Sequence, residues 1–521
     1  MKESKRWLTI IVFLGVAIRL IASYVQPAYV DEAFNQCVCA CGPEGILEIM
    51  RRDVHTPFLH LVMCPLVLLT QNIFWLRMPS VILGAATLVL SFYLMRRFFE
   101  QREALWLTAL MALNYQLFVA DAEFRPYGFL TCFMTLLWLG MLDIKDSRVP
   151  LAFVGEQRER LRWLLFGVVC LICGSIHYVG TIELFICCVW ALAVDTSVSK
   201  RLIALLGFIG CLPSLLWLIW TRLIPHPAAV TGVDPLSAAN VWHFVNEVAI
   251  SYFSIPLYLL GWNLSDFVSL GRDTAWGEAL SYAAPLASLI INGLLWYVMV
   301  LGYRRLVKQC AATAKLMALA LLFPPFLLAG AAFFNFIYWG HPRYVVPMLA
   351  PFLVLLFSGL GAVSRKAFAA VAISGAAVMC AAFPFCNELW NAYWEGAVNK
   401  IDEISRPGDV LILQPPYSVY GFAMAYNPDG IRFEYKKGEE LVCQQYPIPG
   451  KLPVLTLRPW MMSSTFVEKV LKGHRLVLVL SQRHSQYTLP FLEPYYTPEV
   501  VYKHNCIIGW GILDVVLLNE K

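Results

Sequence analysis

Charge is what this sequence has least of. Only 14% of its 521 residues are Asp, Glu, Lys or Arg, where a soluble protein carries about a quarter. With 59% hydrophobic residues and a mean hydropathy of +0.63, several apolar runs are long enough to cross a bilayer, which excludes an ordinary soluble chain. The net charge is only +5, and no strongly basic face is present, which argues against nucleic acid as a partner. No nucleotide-binding glycine loop occurs in the polar tail, and the chain has no internal repeat and no low-complexity stretch. The first apolar run, 8–25, follows Lys2, Lys5 and Arg6. It is too long for a signal peptide and lacks a small-residue cleavage site, so it reads as a retained span.

What is there is a succession of apolar segments of membrane-crossing length. Eleven spans are expected, at 8–25, 74–95, 104–120, 127–143, 163–178, 181–195, 202–221, 279–302, 316–338, 345–362 and 367–385. The short apolar segment 58–70 follows Pro57 and is expected to lie along the outer interface. With the amino terminus inside, the inner segments hold 19 Lys and Arg and the outer loops before the tail hold six, Arg77 being left out as a span-edge residue. This asymmetry is the positive-inside rule. Residues 1–385 therefore read as a membrane region with two notable outer loops, 26–57 and 222–278, and residues 386–521 as an outward-facing domain. In that tail Val410–Leu413, Val454–Leu457, Leu476–Leu480, Val500–Tyr502 and Ile512–Leu518 read as strands, with helices at Tyr417–Tyr426 and Ser464–Lys472. The expected fold is an α-helical polytopic membrane protein with a C-terminal α/β domain.

Fifteen cysteines lie mostly within apolar runs, as small hydrophobes do. Cys37, Cys39 and Cys41 form a C-x-C-x-C run in the first outer loop. The spacing and the missing fourth ligand argue against a metal. A disulfide with Cys443 or Cys506 stays open.

The remaining charges gather at outer helix mouths. Asp31 and Glu32 follow the first span; they are either a solvated acid pair or a general base at the headgroup level. The short turn Asp121-Ala122-Glu123-Phe124-Arg125-Pro126-Tyr127 joins two spans. It reads as a membrane-edge anchor, or as Arg125 facing a phosphate with Glu123 orienting it. Arg343, in His341-Pro342-Arg343-Tyr344, opens an outer helix against the positive-inside bias, which favours an anionic partner over snorkelling. His55, Arg77 and the pair His177-Tyr178 are weaker candidates, and Arg19 either snorkels or pairs inside the bundle. The topology puts all the unusual charges on one side of the membrane.

The order of these residues is recognisable. Arg19, Asp31-Glu32-Ala33, His55-Thr56-Pro57-Phe58-Leu59, Arg77-Met78-Pro79-Ser80, Glu123-Phe124-Arg125-Pro126-Tyr127, His177-Tyr178 and Arg343-Tyr344 follow one another. This resembles the GT-C glycosyltransferases of the protein-mannosyltransferase and aminoarabinose-transferase type, over about residues 10–380, with a bacterial mannosyltransferase-like branch most similar. The resemblance implies a polyprenyl-phosphate sugar donor, an inverting transfer at the outer leaflet of a bacterial inner membrane, and an acceptor lipid, glycan or protein. It implies that Asp31 matches the catalytic carboxylate, and that Arg125 and Arg343 match basic positions near the donor phosphate. Arg77 joins them as a donor-phosphate candidate, with Glu32 beside Asp31 as a second catalytic acid. Glu123, Tyr127, His55, His177 and Tyr344 are supporting candidates. Two departures concern local geometry: Thr56 replaces a proline of the usual His-Pro-Pro, and Pro126 stands where a small or apolar residue is common. No metal or other cofactor is expected, because fixed arginines can stabilise a phosphate leaving group. The competing reading is a polytopic transporter or flippase for a lipid-linked solute, which places its charges near the midplane rather than at helix mouths. A non-catalytic scaffold leaves the Asp-Glu and Glu-x-Arg motifs unexplained.

Overall fold

A computed structural model describes residues 2–26, 30–51, 55–146, 157–194, 198–222, 275–333, 342–360, 394–406, 408–414, 471–481, 492–505 and 512–521, with short pieces within 253–260, 365–377 and 433–456 and at 422 and 489. Apolar segments become helices because, away from water, only a helix satisfies its own backbone. α1 (Lys2–Val25) is followed by α2 (Val30–Ala40) and α3 (Gly42–Met50), then α4 (Phe58–Leu69) and α5 (Ile73–Met95). The first outer loop is thus not a loop but two short helices, separated at Gly42, whose φ of +72 suits glycine.

Next come α6 (Gln101–Leu113), α7 (Tyr115–Ala122), α8 (Pro126–Asp146), α9 (Gln157–Ile176), α10 (Tyr178–Val194) and α11 (Val198–Arg222). α6 and α7 together cover the expected span 104–120 and are bent by 57° relative to each other. The bend falls at Asn114, whose side chain caps α7 by accepting from the Leu117 N–H and also donates to the Leu259 carbonyl. α12 (Ala275–Phe333) comprises the two expected spans, broken at Cys310 (φ −157, ψ 94). A 3₁₀ helix, Pro342–Met348, leads into α13 (Leu349–Gly359). By length and composition α1, α5, α11, α12 and the bent α6–α7 pair suffice to cross a membrane, and α4, α8, α9, α10 and the 344–359 helix are shorter apolar helices. Most of the expected last span, 367–385, lies outside the described residues.

α5 packs among α1, α6 and α8, while α9, α10 and α11 pack on one another, and α12 on α13. Glycines permit the closest crossing. A Cβ on Gly302 would collide with the Leu355 carbonyl, and one on Gly359 with the Val298 carbonyl. The outward flanks, such as Phe13 and Tyr24 of α1, stay exposed and apolar, as lipid-facing surfaces do.

The tail begins with α14 (Trp394–Ile404), which the sequence reading did not anticipate. The five expected strands are all present, as β1 (Val410–Gln414), β4 (Val454–Thr456), β5 (Leu476–Ser481), β6 (Tyr496–Asn505) and β7 (Ile512–Glu520); β2 (Phe433–Glu434) and β3 (Val442–Cys443) form a separate ribbon. The sheet order is β4-β1-β5-β7-β6, with β1 parallel to β4 and β5, and β7 antiparallel to β5 and β6. Alternate residues fill two cores, Leu411, Leu413, Val477 and Val479 facing α14 and Val410, Ile412, Leu476 and Leu478 the other side. The expected helices at Tyr417–Tyr426 and Ser464–Lys472 lie largely outside the described residues. Cys37 of α2 belongs to the α14-side core, with Cys41 packed against it, so the tail domain rests on the back of α2.

Candidate active site

Two acids open α2. The positive end of a helix favours carboxylates in its first turn. Adjacent helical residues project about 100° apart, so Asp31 and Glu32 meet different surroundings. Glu32 is fully buried, and its carboxylate takes Arg77 in a two-pronged pair, Nε to Oε1 at 2.8 Å and Nη2 to Oε2 at 2.5 Å. Arg77 Nη1 donates to the carbonyls of Ser23 and Gln26, at 2.9 and 2.6 Å, which ties the end of α1 to α5. Asp31 keeps 36% of its side chain exposed and meets Arg125 Nη1 at 2.6 Å.

Arg125 is held in place by α2 itself. Glu32 Oε1 accepts from the Phe124 N–H at 2.6 Å, and Asn35 Nδ2 donates to the Phe124 carbonyl at 2.8 Å. Glu32 and Asn35 stand three apart on one helix face, so a single face of α2 grips both polar groups of one residue in the α7–α8 turn. The His60 ring is 3.0 Å from Asn35 Oδ1 and orients that amide. Arg125 itself donates to the Tyr127 hydroxyl at 3.4 Å and lies 5.5 Å from the centre of that ring.

Behind the turn a second buried pair joins α1 to α7. Arg19 Nε reaches Asp121 Oδ2 at 2.8 Å with both side chains fully buried, and Arg19 Nη1 bonds the carbonyls of Gly15 and Ala112. Gly84 makes room for it, since a Cβ there would lie 2.7 Å from the Asp121 carboxylate.

On the other side of Arg125 lies a ring cluster. His177 is 5.6 Å from His55, 5.8 Å from Tyr127 and 5.5 Å from Tyr344, centre to centre, and Tyr127 is 5.9 Å from Tyr344. The Val179 N–H donates to His177 Nδ1 at 3.2 Å, which assigns that nitrogen as the unprotonated one. Thr56, next to His55, bonds the carbonyls of Ser175 and Ile176 and fixes the first loop to the end of α9.

The structure therefore brings Asp31, Arg125, Tyr127, His55, His177 and Tyr344 to one end of the bundle. Glu123 stands beside them as the half-buried C-cap of α7. The Arg343 backbone lies in the 3₁₀ helix next to Tyr344, while its side chain and His341 lie outside the described residues. Two geometries differ from the sequence reading. Asp31 pairs with Arg125, a contact the sequence reading did not contain. Arg77, read from sequence as a phosphate ligand, is sealed with Glu32 beneath the site. Asn35 and His60 were not anticipated; a His one turn into an apolar helix was the available signal.

Cys39 and Cys41 are free thiols. Burial, with Cys64 nearby, pushes the Cys41 thiol up to about 11. Among the described residues no group of three or more His, Cys, Asp or Glu is placed to hold a metal ion.

Two solved proteins share this helical membrane bundle with its C-terminal sheet along nearly the whole chain. ArnT from Cupriavidus metallidurans, in the apo state, is 14% identical with a TM-score of 0.52, over 99% of this chain and 98% of that one. The Archaeoglobus fulgidus oligosaccharyltransferase, in the apo form, is 10% identical with a TM-score of 0.53, over 98% of this chain and 74% of that one. The same oligosaccharyltransferase tethered to an acceptor peptide containing the NVT sequon gives 11%, 0.51, and 98% and 74%. No family model and no curated protein sequence matches this chain.

Proposed function

We propose that this protein is a membrane glycosyltransferase that moves a sugar from a polyprenyl-phosphate carrier to an acceptor hydroxyl on the outer face of a bacterial inner membrane. The observation that carries the reading is the Asp31–Arg125 pair, a partly exposed carboxylate on a fixed arginine at the mouth of the bundle, on a fold shared with an aminoarabinose transferase and an oligosaccharyltransferase. A carrier with a long isoprenoid stays in lipid, so its phosphate lies at the headgroup boundary, where the helix mouths are.

In the proposed reaction Asp31 takes the proton of the acceptor hydroxyl, whose oxygen forms a bond to the anomeric carbon from the face opposite the phosphate. The bond from that carbon to the phosphate oxygen breaks, and polyprenyl phosphate leaves with its electron pair. Arg125, with Arg343 as its partner, balances that charge. Donor binding exchanges the Asp31 carboxylate on Arg125 for phosphate and releases Asp31 to act as base. Glu32, Arg77 and Asn35 position Arg125 rather than touch substrate. The ring cluster of His55, Tyr127, His177 and Tyr344 forms the wall beside the sugar. The arginines serve in place of a metal ion.

The test is release of polyprenyl phosphate from a panel of polyprenyl-phosphate sugars by the full chain in detergent, with and without acceptor extracts. Micelles have no second compartment, so a transporter or flippase produces no release there. Acceptor-dependent release supports the transferase; its absence with every donor and acceptor counts against it.

A further inference from the structure

The end of the bundle opposite the site carries a cavity that the proposed reaction does not use. It measures about 610 Å3 and lies where α5 ends, α6 begins, α12 approaches its Cys310 break and α13 ends. Arg305, Arg365 and Lys366 line it together with Gln309 and Ser358. Its two acids are occupied. Glu100 and Glu103 form the capping box of α6, and Glu103 also takes Arg365 at 2.9 Å. Arg365 is fixed further by bonds to the Phe357 and Leu360 carbonyls and by the Phe99 ring, 5.9 Å away.

Two cations are then left over. Among the described residues neither Arg305 nor Lys366 has an ion-pair partner. Ser358, only 3% exposed, lines the cavity beside them. Two cations without an ion-pair partner, with a serine hydroxyl beside them, are the complement of an anion with several acceptor oxygens. Topology alone asks for positive charge at this end, but not for a cavity around it.

We infer that this cavity binds the phosphate of an anionic membrane lipid, on the membrane face opposite the transfer site. The lipid source follows from α12. Leu294, Tyr297 and Arg305 fall on one helix face, and Leu294 and Tyr297 are 60% and 63% exposed. An apolar, outward-facing stripe therefore runs up to the cavity mouth, where acyl chains continue from a bound headgroup. Basic pockets between membrane helices recognise anionic headgroups in this way.

The test is native mass spectrometry of the full chain titrated with phosphatidylglycerol or phosphatidylcholine, for wild type, R305Q/K366Q and the charge-preserving R305K/K366R. The inference expects phosphatidylglycerol retention to fall roughly 10-fold or more in R305Q/K366Q, to be kept by R305K/K366R, and phosphatidylcholine retention to be equal in all three. Inorganic phosphate as competitor leaves the bound lipid in place. Equal phosphatidylglycerol retention by wild type and R305Q/K366Q overturns the site, and displacement by inorganic phosphate overturns the lipid as its source. Failure of the transferase assay leaves this result untouched, because the readout is lipid mass and not turnover.

Discussion

Arg125 and Asp31, far apart in sequence, meet at 2.6 Å, and the two are unequally covered, 8% and 36% exposed. The arginine is the fixed partner and the carboxylate the accessible one. That asymmetry suits a pair in which the arginine stays and its anion is exchanged.

Arg125→Lys keeps a charge but loses the planar fork, and Arg125→Ala loses both. Loss of a fixed donor to a leaving-group oxygen is expected to lower kcat/KM for the donor by about 10²- to 10³-fold in the alanine variant, with lysine recovering part of it. Steady-state release of polyprenyl phosphate against donor concentration measures both. Unchanged kcat/KM in the alanine variant removes Arg125 from the phosphate.

The Glu32–Arg77 pair has a structural readout. Removing one partner leaves a buried charge uncompensated, at a cost of about 3–5 kcal/mol. Arg77→Ala is therefore expected to lower the thermal unfolding temperature and the folded yield more than Asp31→Asn does. A scanning fluorimetry comparison in detergent checks the order. Equal stability of the two variants contradicts the sealed position of Arg77.

Gly84→Ala tests the second pair from a distance. The added methyl meets the Asp121 carboxylate, which is held by Arg19, and overpacking of this kind costs about 1–3 kcal/mol. The expected result is reduced stability, with activity falling because Asp121 leads into the turn that carries Arg125. Gly84→Ala with wild-type stability and activity shows that α5 and α7 have room to part.

Cys41 gives a pH dependence. Only the thiolate reacts with alkylating reagents, and this thiol is raised to about 11 by burial, with Cys64 adding to it. Its alkylation rate is expected to keep rising with pH beyond 9 rather than to level off there. Mass spectrometry of the modified peptide, in a protein whose other cysteines are followed in parallel, reports it. A plateau near the ordinary thiol value contradicts the buried setting of Cys41.

Much of this architecture was legible in the sequence because it rests on local signals. Apolar runs marked the helices α1 and α4 to α13, and alternating residues between turns marked β1, β4, β5, β6 and β7. The region 26–57 was less legible. Its helices α2 and α3 are short, α2 carries two cysteines, and α3 opens on a Gly-Pro step at 42–43, so neither shows a clear period. Asp31 and Arg125 stood out as charges at helix mouths. Their pairing did not, because a contact between distant segments leaves no local trace. The same holds for Glu32 and Arg77. Adjacent acids look alike in sequence, and the single-residue step around α2 gives one to the site and the other to the interior.

The most direct measurement is release of polyprenyl phosphate by purified full-length protein in lipid, wild type against Asp31→Asn, with the donor and acceptor that support turnover. Asn keeps the size and a hydrogen bond to Arg125 but cannot take a proton. The account predicts that the variant folds, binds donor with a similar KM and loses about 100-fold or more in kcat. Equal turnover by Asp31→Asn and wild type contradicts it.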